Sequence, residues 1–352
     1  MTRERISPQR GQGERHQSRV MATSPPLPAK LRARKKASKK ERRRTKKKKE
    51  KRKKNEDMRR HTETLLLIAT MSAVISCDNF EYLPYAADFY GRTGIHATSI
   101  HDIEQSCAGK DTICFAFITD TQGSYDEMRD AMDVISKRKD VMFIIHGGDQ
   151  SDFGMTKEFL WTRDILDSQP LPYLCLLGNH DCLGNGEHTY TRIYGEENFS
   201  FNASFMHFVG LNTVALEYDY SHPVPDFKYI EADADTLYNM ADSIRFTVVG
   251  MHAPPHDEQF NDNVDNVFEH YITRYPGLRS SDPVFSPSDN VDPVMVGTRR
   301  MGFCINGHTH RNDTKDIFGD GVLYYGLANV AKRSIQIYTI TRKGYECETI
   351  SF

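Results

Sequence analysis

Three short apolar runs constrain this chain more than anything else in it: Ile113 to Thr119, Val141 to Ile145 and Tyr173 to Leu177. Each is built of β-branched, aromatic and aliphatic residues without polar alternation, as expected of strands covered on both faces. Each breaks off into a loop of acids, amides or imidazoles. These loops are Asp120-Thr121-Gln122-Gly123, His146-Gly147-Gly148-Asp149-Gln150-Ser151-Asp152 and Gly178-Asn179-His180-Asp181. Between the runs the spacing turns helical. Met128, Met132 and Ile135 fall on one face of Tyr125 to Lys137, and a second helix is predicted from Met155 to Leu166. Strand, loop and helix repeated in this way require right-handed crossovers and a parallel sheet. In such sheets ligands bind beyond the C-terminal ends of the strands, where these loops lie.

The second half is mixed. Phe199 to Val214 reads as an antiparallel hairpin around Asn202-Ala203-Ser204, and Phe227 to Met240 as a helix. Ile244 to Gly250 is a strand that delivers Met251-His252-Ala253-Pro254-Pro255. Met301 to Asn306 is another, ending in Gly307-His308-Thr309-His310. Between them Asp257 to Arg300 is long, polar and proline-rich, the mark of a functional or disordered loop. Val322 to Tyr325, Ser334 to Thr339 and Tyr345 to Ile350 close the pattern as strands, and no internal repeat is visible.

Charge divides the chain. Residues 1–60 hold 25 of the 46 Lys and Arg but 6 of the 48 Asp and Glu, leaving 21 basic and 42 acidic residues in the remainder. A body that acidic offers no footprint for nucleic acid. The basic head, residues 1–57, lacks the apolar residues a core needs and is expected to be disordered. It reads either as a nucleic-acid or nuclear-targeting arm or as an upstream start assignment outside the working protein. From Met58 the pattern changes: Arg59-Arg60, an apolar run from Leu65 to Ile75, then Ser76 and Cys77. The run is too short to span a bilayer. It resembles a bacterial lipoprotein signal peptide over residues 58–76, which implies a lipid on Cys77, a place in the bacterial cell envelope, and a tether and N-terminal lead-in over 77–112. A buried helix or an ordinary secretory signal is the alternative. Six other cysteines remain. Cys107 with Cys114 is the expected disulfide pair, and Cys175 and Cys304 are expected as buried thiols.

The loop residues form one donor set: Asp120, Gln122, Asp149, Asp152, Asn179, His180, His252, His308 and His310. Carboxylate, amide oxygen and imidazole together suit Mn, Fe or Zn, with enough donors for two ions sharing one carboxylate. Taken singly, each motif has a bland reading as a turn, a cap or a loop histidine. Together, in this order, they resemble the motifs of the calcineurin-like metallophosphoesterase superfamily over Phe115 to the C-terminus. That resemblance implies an α/β (α+β) sandwich over 113–352, two mixed sheets face to face and flanked by helices.

It also implies roles. Asp149 would bridge two divalent metals, with Asp120, Gln122 and His310 completing one half-site and Asn179, His252 and His308 the other. A hydroxide held between the ions would attack phosphorus. His180 would assist at the leaving group, its tautomer held by the Asp152 carboxylate. Gln122 stands where the common motif has His, a weaker neutral donor found in some nucleotide-diphosphate hydrolases. Asp152 stands where the purple acid phosphatase branch has Tyr. The expected reaction is hydrolysis of small phosphomonoesters or phosphodiesters. The alternatives are a non-catalytic scaffold of the same fold that binds a protein partner, and a nucleotide-diphosphate hydrolase of the kind that carries Gln where Gln122 stands. Cys182 to Asn198 and Asp257 to Arg300 are the loops expected to set specificity.

Overall fold

The computed structural model describes residues 29–75, 83–86, 89–217, 223–238, 240, 243–275, 277–278 and 302–352. The chain divides into two compact units, Met1–Glu81 and Tyr82–Phe352. In the first, α1 (Ala29–Ile75) runs without a break through the expected boundary at Met58. Here the structure differs from the disordered head expected to Asp57. Lys, Arg, Glu and Ala are strong helix formers, and no Pro or Gly falls between Ala29 and Ile75. Exposed Arg52–Glu56 and Arg59–Glu63 pairs at i,i+4 add a little. Ser76 and Cys77, which carry the lipoprotein reading, lie outside the described residues. Among the described residues no helix is long and apolar enough to cross a membrane.

The second unit begins earlier than 113. Within the stretch expected as a tether, Ile95–Cys107 forms α2, with Ile95, Ile103 and Cys107 fully buried. The alternating strand and helix pattern then appears as read: β1 (Thr112–Ile118), α3 (Tyr125–Lys137), β2 (Phe143–His146), α4 (Thr156–Leu166) and β3 (Tyr173–Cys175). These strands pair in parallel. The C-terminal hairpin of β10 (Ser334–Thr341) and β11 (Gly344–Ser351) adds antiparallel to β1, giving the order β11-β10-β1-β2-β3. A second sheet contains β4 (Phe199–Ala203), β5 (Met206–Leu211), β6 (Phe246–Met251), β7 (Phe303–Asn306), β8 (Asp313–Lys315) and β9 (Leu323–Gly326), in the order β4-β5-β6-β7-β9-β8. Three short elements had no clear signal: α5 (Gly186–Ile193), β8, and α7 (Asp262–Ile272) inside the expected long loop. Positions 276 and 279–300 of that loop lie outside the described residues.

The two mixed sheets pack face to face with helices outside. Alternation along β1 shows why. Phe115 and Phe117 point between the sheets, while Ala116 and Ile118 point to the helix layer with Met128 and Phe159. The inner layer is aromatic: Phe115 lies edge-on to Phe208 at 6.2 Å, and Phe303 stacks on Tyr338 at 4.8 Å. On the outer face of the second sheet, α6 (Phe227–Tyr238) and α7 cover Val249 and Cys304. Cys175 and Cys304 are buried thiols as expected, but the Cys107–Cys114 disulfide is absent. Both are free, Cys107 beside the Met142 sulfur and Cys114 donating to Asp140.

Candidate metal centre

The C-terminal ends of β1, β2 and β3 in one sheet and of β6 and β7 in the other open onto the same rim. Backbone hydrogen bonds clip their loops together. Asp120 N donates to the Gly148 carbonyl, Thr121 N and Gln122 N to the Asp149 carbonyl, and Gly307 N to the His252 carbonyl. Seven non-glycine residues among those described have φ in the left-handed region. Four of them are Asp120, Asp149, His308 and His310, with φ between 52° and 64°. Backbone strain of this kind persists only where surrounding contacts hold it, and it gathers at functional rims. The glycines of the motifs permit the close approach. A Cβ on Gly178 would meet Asp149 Oδ1 at 2.1 Å, and one on Gly307 would meet Asp120 Oδ2 at 2.5 Å.

The expected ligands converge. Asp120, Asp149 and His252, all buried, place one ligand atom each within 4.8 Å of one another. In one half, Asn179 Oδ1 lies 3.1 Å from His252 Nε2 and 3.0 Å from His308 Nδ1, with Asp149 Oδ1 3.4 Å from His252 Nε2. In the other half, His310 Nε2 lies 3.0 Å from Asp120 Oδ1, and Gln122 Nε2 donates to Asp149 Oδ2 at 3.2 Å. Asp149 therefore touches both halves.

The donor set fits divalent cations. His252 Nδ1 lies 2.8 Å from the Gly147 carbonyl, and His308 Nε2 lies 3.0 Å from the Asp257 carboxylate. Each distal nitrogen is therefore the natural donor, which turns the lone pair of the near nitrogen toward the Asn179 oxygen. Lone pairs aimed at one point call for a positive charge between them. Protonation shows the same demand. Burial pulls the His252 imidazole down, yet the Asp149 and Asp120 carboxylates push it up to about 10. Burial raises the Asp149 carboxyl, and His252 and His180 more than reverse this, so it sits below the usual carboxylate range. A divalent ion would satisfy the same charge and release that proton. Gln122 Oε1 and Asn329 Oδ1 are buried without a partner, both in the His310 half. Gln122 Oε1 is a ready ligand atom. Asn329 lies against His310, its Nδ2 3.4 Å from Nδ1. Turning that amide would let its oxygen accept from His310 Nδ1 and leave Nε2 free for a metal.

His180 stands beside this cluster, not in it. Its backbone N–H donates to Asp149 Oδ1, and its side chain is 38% exposed. Burial lowers the imidazole, but the Asp152 carbonyl and the Asp149 and Asp152 charges raise it overall. One expectation is corrected. Nδ1 meets the Asp152 backbone carbonyl at 2.8 Å, whereas the Asp152 carboxylate is 3.6 Å away, too far for a hydrogen bond. The loop that carries Asp152 brings its main chain, not its side chain, to the ring.

Within the rim the structure holds three further residues to which the sequence assigns no role, Asp181 at the end of the Gly178-Asn179-His180-Asp181 motif, His146 and Asp257. Asp181, fully buried, accepts from Gly178 N, Ser151 N and Ser151 Oγ and so ties the β3 loop to the β2 loop. Burial, with Asp149 nearby, pushes its carboxyl up to about 7. His146, fully buried against Thr121, is driven down to about 3 by burial. Asp257, the partner of His308, sits in a polar run where a lone carboxylate gives no pattern.

The calcineurin-like phosphoesterase family model matches residues 114–312. The chain belongs to the calcineurin-like phosphoesterase family. No curated protein matches the chain. Among solved structures it is similar to GAP50, the anchor in the inner membrane complex of Plasmodium, at 12% identity over 69% of this chain and 85% of that one, with a TM-score of 0.48. It is similar to 5′-nucleotidase from Candida albicans, at 13% identity over 68% of this chain and 52% of that one, TM-score 0.41. Purple acid phosphatase PPD1 from yellow lupin seeds follows, at 11% identity over 69% and 52%, TM-score 0.45. The chain spans about half the length of the latter two chains.

Proposed function

We propose that this protein hydrolyses small phosphomonoesters or phosphodiesters at a pair of divalent ions of the Mn, Fe or Zn class. The observation that carries the reading is the convergence of Asp149 with both half-sites while His180 stands alongside. Asp120, Gln122, Asp149 and His310 would hold one ion, and Asp149, Asn179, His252 and His308 the other. Bound there, the ions would supply Lewis acidity and a nucleophile at neutral pH. The chain's own residues do the rest. Asp149 fixes the spacing of the halves, and the strained loops hold the ligands without reorganisation. His180, half-exposed, is placed to neutralise a phosphoryl oxygen or to give its Nε2 proton to the departing alcohol. The Asp152 carbonyl keeps the other proton on Nδ1.

A cavity of about 760 Å³ opens from His308 along Pro254, Asp257, Arg311 and Tyr324, and we assign it to the substrate's organic part. The test is a panel of phosphate esters assayed with Mn, Fe, Zn and Mg. His180→Ala should lose roughly 10²–10⁴-fold in kcat while keeping its metal. A folded, metal-loaded wild type that turns over no ester would instead place the protein among non-catalytic scaffolds. We propose also that residues 58–76 are removed and Cys77 carries lipid in the cell envelope. A native protein whose N-terminus by mass spectrometry precedes Met58 would refute this.

A further inference from the structure

The four site imidazoles differ in what holds the nitrogen away from the centre. His252 Nδ1 meets the Gly147 carbonyl and His180 Nδ1 the Asp152 carbonyl. His310 Nδ1 faces the Asn329 amide at 3.4 Å. His308 alone has a carboxylate, Asp257 Oδ1 at 3.0 Å from Nε2, with the pair 12% and 21% exposed. An anionic acceptor on the distal N–H fixes the tautomer, stops ring rotation and makes the near nitrogen a stronger donor. A neutral amide at longer range does so weakly. Each half has one amide oxygen, Asn179 here and Gln122 opposite, but the opposite half has one imidazole where this half has two, and that imidazole, His310, is 41% exposed.

We propose that Asp257 is a positioning residue that makes the Asn179–His252–His308 half the tighter of the two metal half-sites, so that the half with Gln122 fills second. The inference rests on the metal-centre reading above and adds an order of occupation to it. Asp257 lies five residues after the ligand His252, on the same loop after β6, so one loop supplies both a ligand and the orienting group of another.

The test is calorimetric titration of the full, metal-stripped chain with Mn²⁺. Wild type should bind in two resolved steps. Asp257→Asn should weaken the tighter step by about 10–100-fold and leave the weaker one in place. Gln122→His should strengthen only the weaker step. A wild type with two equal steps, an Asp257→Asn effect on the weaker step or on neither, or a Gln122→His effect confined to the tighter step would overturn the proposal. Should Asp257→Asn fail to fold, the Gln122→His titration decides alone. A folded wild type that binds no Mn²⁺ would fail the metal-centre reading itself, which separates the two failures.

Discussion

The two sheets deliver different chemistry to one rim. The loops after β1, β2 and β3 supply oxygen donors, Asp120, Gln122, Asp149 and Asn179. The loops after β6 and β7 supply only imidazoles to the same cluster. The carboxylates are sealed, with Asp120 0% and Asp149 2% exposed, whereas the imidazoles grade outward from His252 at 0% through His308 at 12% to His310 at 41%. A buried carboxylate is stable only while opposite charge and N–H donors surround it, so its position must be over-determined. An imidazole can stay neutral and tolerate a wetter place. The first sheet therefore sets where the centre is, and the second sets how strongly and how accessibly it is closed.

The largest expected effect tests that division. Asp149→Ala removes the group that reaches both halves and should cost more than the roughly 10³-fold that loss of a single electrostatic donor costs. His310→Ala removes the outer imidazole of one half. It should cost about 10²-fold and recover in part as Mn²⁺ is raised. Equal losses for the two variants, measured as kcat/KM on one ester, would mean that the sealed and graded sides do not differ in importance.

A smaller effect compares the sheets away from the rim. At the β3 edge, His96 is buried, accepts from Cys175 N at 3.3 Å and packs on Phe199, and burial drives it from 6.5 to about 3. In the second sheet, His207 of β5 pairs with Asp233 at 3.1 Å. Burial raises the Asp233 carboxyl, but His207 and the Ser200 hydroxyl bring it below its usual 3.8. The unfolded chain binds the His96 proton first on acidification. Stability from its neutral burial is complete above about 6.5 and lost as pH falls toward 3, with a slope near 1.4 kcal/mol per pH unit. The Asp233 contribution is complete above 3.8 and lost only below it. His96→Phe should therefore flatten the stability profile between pH 6 and about 4 and leave the steeper fall below that range. An unchanged slope in urea titrations across that window would show that His96 is not what loosens the first sheet's edge.

Much of this was readable because parallel strands announce themselves twice. The apolar runs at Ile113, Val141 and Tyr173 fixed the sheet, and the donors that end them fixed the rim, since a side chain just past a strand end has little choice of direction. Relations between loops were not readable. Asp257 looks like any acid in a polar run, and only the fold brings it to His308. Asp152 is a related case, because spacing gives the residue but not which of its oxygens faces the ring. Cys107 and Cys114 are near in sequence, yet α2 packs the first sulfur against Met142 while β1 turns the second toward Asp140.

The smallest expected effect follows from the Asp152 carbonyl and sets the limit of what the first sheet's loops do through side chains. Asp152→Asn keeps the main chain, the 2.8 Å contact to His180 Nδ1 and the volume, and removes only a carboxylate 3.6 Å away and 41% exposed. At that exposure solvent screens most of its field. The change in kcat should stay within about threefold, and the pH at which His180 titrates in the kcat profile should move down only slightly as one negative charge is lost. If instead the carboxylate held the tautomer, Asp152→Asn would approach the His180→Ala loss. The two variants measured side by side distinguish a ring held by the backbone of a strained loop from one held by an acid.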